Sequence, residues 1–278
     1  MLQISELYIY PIKSLGGISV KQATVTDRGL EYDRRWMLVD ENNCFITQRQ
    51  VPEMALLQVA IEDAGLLVTH EINGDSINIP FVSGSGEQEM VTIWNDSCSA
   101  VHVSDKVDDW FTTMLGITCR LMHMPDDTRR QVDQNYAPGD AITSFSDAYP
   151  YLIIGQATLD ELNSRLEQAL PVNRFRPNMV FTGGEPFEED KLGHFVINHI
   201  NFYGVKLCAR CVIITIDQDS GLKGKEPTKT LSTYRMRNNN VYIGQNLVHK
   251  GDGFISVGDS LQVISLNHEE RFIIKMPD

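Results

Sequence analysis

The stretch Cys208-Ala-Arg-Cys-Val-Ile-Ile-Thr-Ile-Asp217 carries the decision about this chain. It sits after another apolar run, YGVKL, and joins a C-x-x-C pair to a β-branched segment that reads as a strand. Two cysteines at this spacing have three ordinary readings: a redox dithiol, half of a zinc site, or two small buried hydrophobes. In a dithiol oxidoreductase the C-x-x-C opens a helix, which helps to lower the thiol pKa, and VIITID does not read as a helix. For zinc, His194 and His199 precede the pair and complete a ligand set on paper. If HFVINH is one strand, however, those two histidines point to opposite faces. The same periodicity applies to the cysteines. Residues three apart on an extended chain face opposite sides, so without a bulge only one thiol enters a given pocket. That geometry favours a single thiolate, a soft ligand suited to a metal that prefers sulfur.

Outward from this segment, the chain is 278 residues long, enough for two domains. Hydrophobic residues make up 42% and charged residues 22%, the profile of a soluble globular protein with a real core. Five scattered cysteines do not make a secreted disulfide framework. The N-terminus MLQISELYIY lacks the basic and apolar regions of a signal peptide. No apolar run approaches the ~18 residues of a membrane span. The expectation is a cytoplasmic protein with no membrane association. A net charge of −13 argues against nucleic acid as a partner, since phosphate backbones need a basic face. It leaves room for a small anion held by a few local cations.

Short β-rich runs fill the first hundred residues: ISELYIYPI, GISVKQATVT, WMLVD, CFITQ, LLQVAIE, LLVTHEI, SINIP, EMVTIW and CSAVHV, parted by turn residues. SDKVDDWFTTMLG then places Val107, Trp110, Phe111, Met114 and Leu115 on one helical face, between a Ser104 cap and Gly116. After the strand-like ITCRLMHM, residues 125–150 form a polar connection without periodicity, a length that tends to be functional or disordered. YLIIG reads as a buried strand. TLDELNSRLEQAL predicts a helix over 158–170 with a Thr158–Glu161 capping box, stopped by Pro171. NMVFTG, HFVIN, FYGVKL, VIITID, NVYIG and SLQVIS predict further strands. The expected class is mixed α/β dominated by β, with a barrel-like domain over 1–116 and a second β-barrel domain over 117–278 carrying flanking helices.

Several segments together carry a family resemblance. CARCVIITID, with DSG after it and KEP…TL…YR beyond, resembles the end of a MOSC domain, and SFSDAYPYLIIGQATLDELNSRL with NRFRPNMVFTGG resembles its middle. Upstream, YPIKSLGGISV, DRGLEYDRRWMLVD and FITQRQVPEMALL resemble the N-terminal β-barrel domain of the amidoxime-reducing-component family and its bacterial relatives. The resemblance implies a molybdenum cofactor, a pterin dithiolene (molybdopterin) with a terminal phosphate. It implies that Cys211 is the metal ligand and catalytic cysteine, while Cys208 is not a ligand. It further implies cofactor contacts at Lys13, Ser14, Arg34, Ser146, Asp147, Arg176 and Asn178, with Tyr234 and Arg235 lining the same region. Arginine suits phosphate for the chemical reason that its fork donates two parallel bonds. Each of these residues has a plain alternative, a solvated charge, an ion pair or a turn. Their co-occurrence favours the cofactor.

The implied activity is an oxidoreductase that removes oxygen from a small N-hydroxylated substrate. The alternative is a cofactor carrier or sulfur-transfer module without its own turnover. Some bacterial relatives continue into a plant-type ferredoxin domain with its own cysteines. No cysteine follows Cys211 here, so the expected electron donor is a separate protein: a ferredoxin, a flavoprotein or a b-type cytochrome.

Overall fold

The computed structural model describes residues 1–81, 88–137 and 139–267. Strands dominate it, as the density of short alternating runs predicts. The second half closes a seven-stranded barrel. Around it run Tyr151–Gly155, Met179–Thr182, Leu2–Ile9, Ser260–Leu266, Leu192–Ile197, Ile200–Arg210 and Asn240–Lys250, the last pairing back onto Tyr151–Gly155. Closure removes the unpaired sheet edge. Its interior is filled by Leu7, Ile153, Phe181, Phe195, Phe202 and Leu247, all nearly inaccessible. The first strand of the chain, Leu2–Ile9, is thus a stave of the barrel that the second half otherwise builds. It pairs antiparallel with Met179–Thr182 on one side and Ser260–Leu266 on the other.

The first half forms a half-barrel from two sheets. Trp36–Val39, Arg120–His123, Asp96–His102 and Gln88–Ile93 make a four-stranded sheet, and Leu57–Glu62, Gly65–His70 and Ser76–Pro80 a three-stranded one. Between them lies a core of Leu38, Val59, Val68, Ile79 and Leu121. The helix Asp105–Leu115 packs onto this core through Val107, Phe111 and Leu115. Ser104 caps it by accepting a bond from Val107 N at 3.4 Å, and Gly116 closes it at φ 66°. Burying Phe111 alone contributes about 2–3 kcal/mol. WMLV is buried on both faces: Leu38 joins this core, whereas Met37 and Val39 join a separate cluster on the outer face of the sheet, covered by Phe145. That continuous apolar run is the pattern of a strand covered on both sides.

Four expectations change. VIITID is not a strand: Val212–Thr215 is a short 3-10 helix beginning at Cys211, because the long strand Ile200–Arg210 ends one residue earlier. CFITQ is not a regular strand. The Asp40 carboxylate accepts from the Asn42 and Cys44 amides, and the turn leaves only isolated bridges, Val39 to Phe45 and Cys44 to Thr92. The predicted 158–170 helix runs instead over Gln156–Asn163 with Gly155 as its N-cap. Thr158 does not cap it. Its hydroxyl donates to the buried Glu189 carboxylate and accepts from Phe187 N, both at 2.7 Å. The Asn163 side chain pairs with both backbone groups of Leu170 and ends the helix early. Finally, the described part of the 125–150 connection contains a strand pair, Arg130–Gln131 with Ile142–Thr143.

Among the described residues no helix is long and apolar enough to cross a membrane.

Gly204, in the long strand, sits where neighbouring backbone approaches closely. A Cβ there would lie 2.1 Å from the Leu192 carbonyl oxygen, and the pairing register shifts just beyond it. Backbone cannot give way as a flexible side chain can. Gly204→Ala is expected to cost about 1–3 kcal/mol, read as a lower urea midpoint with an unchanged slope.

Candidate functional site

A cavity between the two halves is lined by Lys13, Ser14, Arg34, Ser146, Asp147, Arg176, Asn178 and Cys211. Eight of the ten residues singled out in the sequence therefore meet in one place, although they come from distant parts of the chain. Tyr234 and Arg235 do not join them. Tyr234 donates to Glu161 at 2.9 Å and Arg235 to Asp190 at 2.6 Å, fastening the flanking segment to the barrel. Adjacency to the YR motif could not reveal that these side chains have partners of their own.

Local structure explains how each group arrives. Ser14, Arg34 and Arg176 adopt left-handed backbone conformations, with φ of 68°, 50° and 53°. Non-glycine residues rarely do so, and such strain clusters at binding sites. Arg34 donates from Nη1 to Asp33 Oδ2 at 2.6 Å and to Asn178 Oδ1 at 3.1 Å, and from Nη2 to the Arg176 carbonyl at 3.2 Å. Both ends of the Asn178 side chain are engaged: its amide nitrogen donates to the Tyr8 carbonyl, and its oxygen also accepts from Leu152 N. It orients Arg34 and the strand. The guanidinium carbons of Arg34 and Arg176 lie 4.4 and 4.3 Å from the centre of the buried Tyr10 ring, so one aromatic supports both cations.

Lys13 is 5% exposed and donates to the Phe145 carbonyl at 2.8 Å and to Asp147 Oδ1 at 2.6 Å. Burial pulls its ammonium down to about 8, against the opposing pull of Asp147. For Asp147, whose side chain is 54% exposed, partial desolvation works upward. The charges of Lys13 and Arg49, with hydrogen bonds from Lys13 and Trp94, outweigh it and hold the carboxyl well below the usual range. Desolvation likewise lowers Arg176 to about 10.

The segment carrying Ser146 and Asp147 is shaped by Arg130, which sequence reasoning missed. It is 4% exposed and donates to the Ser144 and Ser146 carbonyls at 2.9 and 2.6 Å, to the Asp147 carbonyl at 3.1 Å and to Asp96 Oδ2. Arg210, inside CARC itself, was also missed. It lines the cavity, donates to the Phe175 carbonyl at 2.6 Å, and places Nη1 3.1 Å from Cys208 Sγ. The C-x-x-C spacing points only to the sulfurs.

Both cysteines line the cavity, which corrects the expectation that Cys208 turns away. The long strand shifts register between Leu207 and Ala209, and this bulge breaks the alternation. Both thiols are free and partly exposed. The zinc set does not assemble. His194 bonds Asn201 and stacks on Tyr203, while His199 bonds the Asp252 carbonyl. Among the described residues no metal-sized cluster contains either cysteine.

The cavity has hydrogen-bonding capacity to spare. Arg176 Nη2, Arg210 Nε, Tyr149 Oη and Tyr151 Oη are buried without a partner among the described residues. Unmet buried donors are costly, about 1–3 kcal/mol each, more when charged. Of these, Arg176 Nη2 and Arg210 Nε belong to cations that line the cavity, and they suit an anionic ligand rich in acceptors.

Two family models match in tandem: the MOSC N-terminal beta barrel domain over residues 1–118 and the MOSC domain over residues 140–262. Mitochondrial amidoxime-reducing component 1 of Mus musculus is 30% identical over 279 residues, covering 94% of this chain and 82% of that protein. The chain belongs to the MOSC family.

Other MOSC relatives point the same way. Mitochondrial amidoxime reducing component 2 of Bos taurus is 31% identical over 84% of this chain and 72% of its own. A molybdenum cofactor sulfurase of Oryza sativa subsp. japonica is 30% identical over 94% of this chain, which spans 35% of that longer protein. Among solved structures, the YUAD protein from Bacillus subtilis aligns over 95% of this chain and 97% of its own at 10% identity, with a TM-score of 0.38. Membership in the MOSC family makes the function molybdenum-cofactor-related.

Removing the Arg130 head while keeping an apolar stem should release the 144–147 segment of this MOSC protein. Arg130→Met is expected to lose about 3 kcal/mol through its charge-assisted bonds. A lower urea midpoint, with faster amide exchange at residues 144–147, is the readout.

Proposed function

We propose that this protein is a molybdenum-cofactor-dependent oxidoreductase that reduces small N-hydroxylated compounds with electrons from a separate donor protein. The supporting observation is the convergence on Cys211 of Lys13, Arg34, Arg176 and Arg210, with unspent buried donors, in a chain of net charge −13. The amidoxime-reducing relatives supply the substrate class.

The residues fit such a cofactor on chemical grounds. Arg176 Nη2 and Arg210 Nε offer donors to phosphate or pterin oxygens. Cys211 offers a soft thiolate at the mouth of the short helix. Arg34, held by Asp33 and Asn178, gives fixed positive charge, and Lys13, held by Asp147, gives positive charge below about pH 8. Ser14 and Ser146 line the same cavity. When bound, the cofactor supplies a two-electron redox centre. Converting an N–OH group to N–H and water consumes two electrons and two protons. Lys13 holds a labile proton, since burial brings its ammonium to about 8, and the Lys13–Asp147 pair connects it to solvent. The donor protein is a ferredoxin, a flavoprotein or a b-type cytochrome.

The similarity to the rice sulfurase favours a second reading, a module that binds the cofactor without turnover. The two part in one assay. Purified protein loaded with molybdenum cofactor is given reduced viologen and benzamidoxime. Molybdenum retained with benzamidine formed supports the reductase, and molybdenum retained without product supports the module.

Within that assay Cys211→Ser should abolish reduction, because an alcohol is a poor substitute for a soft thiolate. Cys208→Ser should keep much of it, since a hydroxyl can still accept from Arg210. Equal loss in both variants would sink the assignment of Cys211.

Retention of the cofactor should also depend on pH through Lys13. Its charge is present below about 8 and lost as pH rises through that value, so retention should fall there. Lys13→Arg should move the fall to higher pH. Elemental analysis after gel filtration at a series of pH values makes the measurement.

A further inference from the structure

Behind the Cys211 segment lies a second cavity that the proposed chemistry does not use. The helix Val212–Thr215 separates the two: Cys211 and Ile213 line the first cavity, and Thr215 lines the second. The neighbouring 3-10 helix Val172–Phe175 divides its charges the same way. Arg174 lines the second cavity, and Arg176, just past the helix, lines the first.

Arg174 is 7% exposed. It donates from Nη2 to Asp217 Oδ2 at 2.7 Å, and its Nε has no hydrogen-bond partner among the described residues. Around it stand Lys223, Lys225 and Lys229. None of the three forms an ion pair among the described residues. Lys223 donates only to the Arg49 carbonyl, at 3.1 Å. Lys225 precedes the short helix Thr228–Ser232 and Lys229 lies in its first turn; the Lys229 N to Lys225 O bond at 3.0 Å holds the two segments together, and both side chains are exposed at the cavity rim. Three acids also line the cavity: Asp217 holds Arg174, Glu226 accepts from Thr230 N at 3.0 Å, and Glu167 forms no ion pair with the lysines among the described residues.

Three unpaired ammonium groups beside a buried guanidinium are unusual in a chain of net charge −13. Like charges gathered around a concavity repel unless a counter-charge is brought in. The concavity suits a small molecule, and several cations around one guanidinium suit phosphate, which accepts a bidentate fork and carries more than one negative charge. We propose that this second cavity binds a small phosphate-bearing anion, with Arg174 as the buried anchor and Lys225 and Lys229 closing over it. Thr215, at the far end of the short helix that begins at Cys211, lines this cavity, so one helix contributes to both.

Pyrophosphate is the probe, titrated calorimetrically into the full chain at low ionic strength. The first cavity is also cationic, so the assignment rests on variants. Lys225→Ala/Lys229→Ala changes only exposed side chains and should weaken a saturable site by about tenfold or more. Arg176→Ala, in the first cavity, should leave that site intact. Arg174→Lys, which keeps the charge but loses the fork, should weaken it by a smaller factor. Absence of saturable binding to wild type, equal affinity in the lysine variant, or loss confined to Arg176→Ala would each overturn the proposal.

Discussion

The Asp33 carboxylate, 2% exposed, ties the molecule together. One oxygen accepts from Tyr10 N at 2.8 Å and the other from Arg34 Nη1 at 2.6 Å. Its own carbonyl accepts from Ser144 Oγ at 2.8 Å. Arg34 then reaches Asn178 and the Arg176 carbonyl on the far side of the cavity. A buried charge is tolerated only when paired and hydrogen-bonded, and meeting that demand draws together the chain near residue 10, the 144–147 segment and the segment after Val172–Phe175. The cavity is the gap these partners leave.

The same knot explains the strained backbone around it. Arg34 and Arg176 can share the Tyr10 ring only if both chains turn sharply, and both adopt left-handed conformations to do so. Ser14 makes a third such turn, with its carbonyl held by Gln48 Nε2 at 2.7 Å. The cost of each turn, about 1–3 kcal/mol, is offset by surroundings that fix it, including a barrel interior with almost no exposed side chain. The cations are therefore pre-positioned, and binding an anion requires little reordering.

Two short 3-10 helices give the site its second function-bearing property, directionality. Each begins or ends beside a cavity residue, Cys211 in one case and Arg176 in the other, and each also contributes a residue to the second cavity, Thr215 and Arg174. A 3-10 turn advances about 2 Å per residue, so the two cavities are separated by little more than a turn of backbone. Whatever occupies one rests against the wall of the other.

The sequence alone determined the β-dominated class, the helix Asp105–Leu115 with its caps, and eight of the cavity residues, because period-2 patterning, capping chemistry and the spacing of familiar motifs are local properties. Tertiary structure decided the rest. That Leu2–Ile9 closes the second barrel depends on pairing partners far along the chain. That VIITID coils into a 3-10 helix depends on the long strand ending at Arg210, against its own β propensity. The bulge that brings Cys208 to the cavity arises from register against Asn240–Lys250. Arg130 and Arg210 were invisible because an arginine announces nothing until its carbonyl partners are assembled around it. Tyr234 and Arg235 misled for the converse reason: motif proximity does not say which carboxylate a side chain will find, and theirs, Glu161 and Asp190, lie outside the cavity lining. Local sequence fixes which groups can do the chemistry; long-range hydrogen-bond satisfaction decides which of them meet.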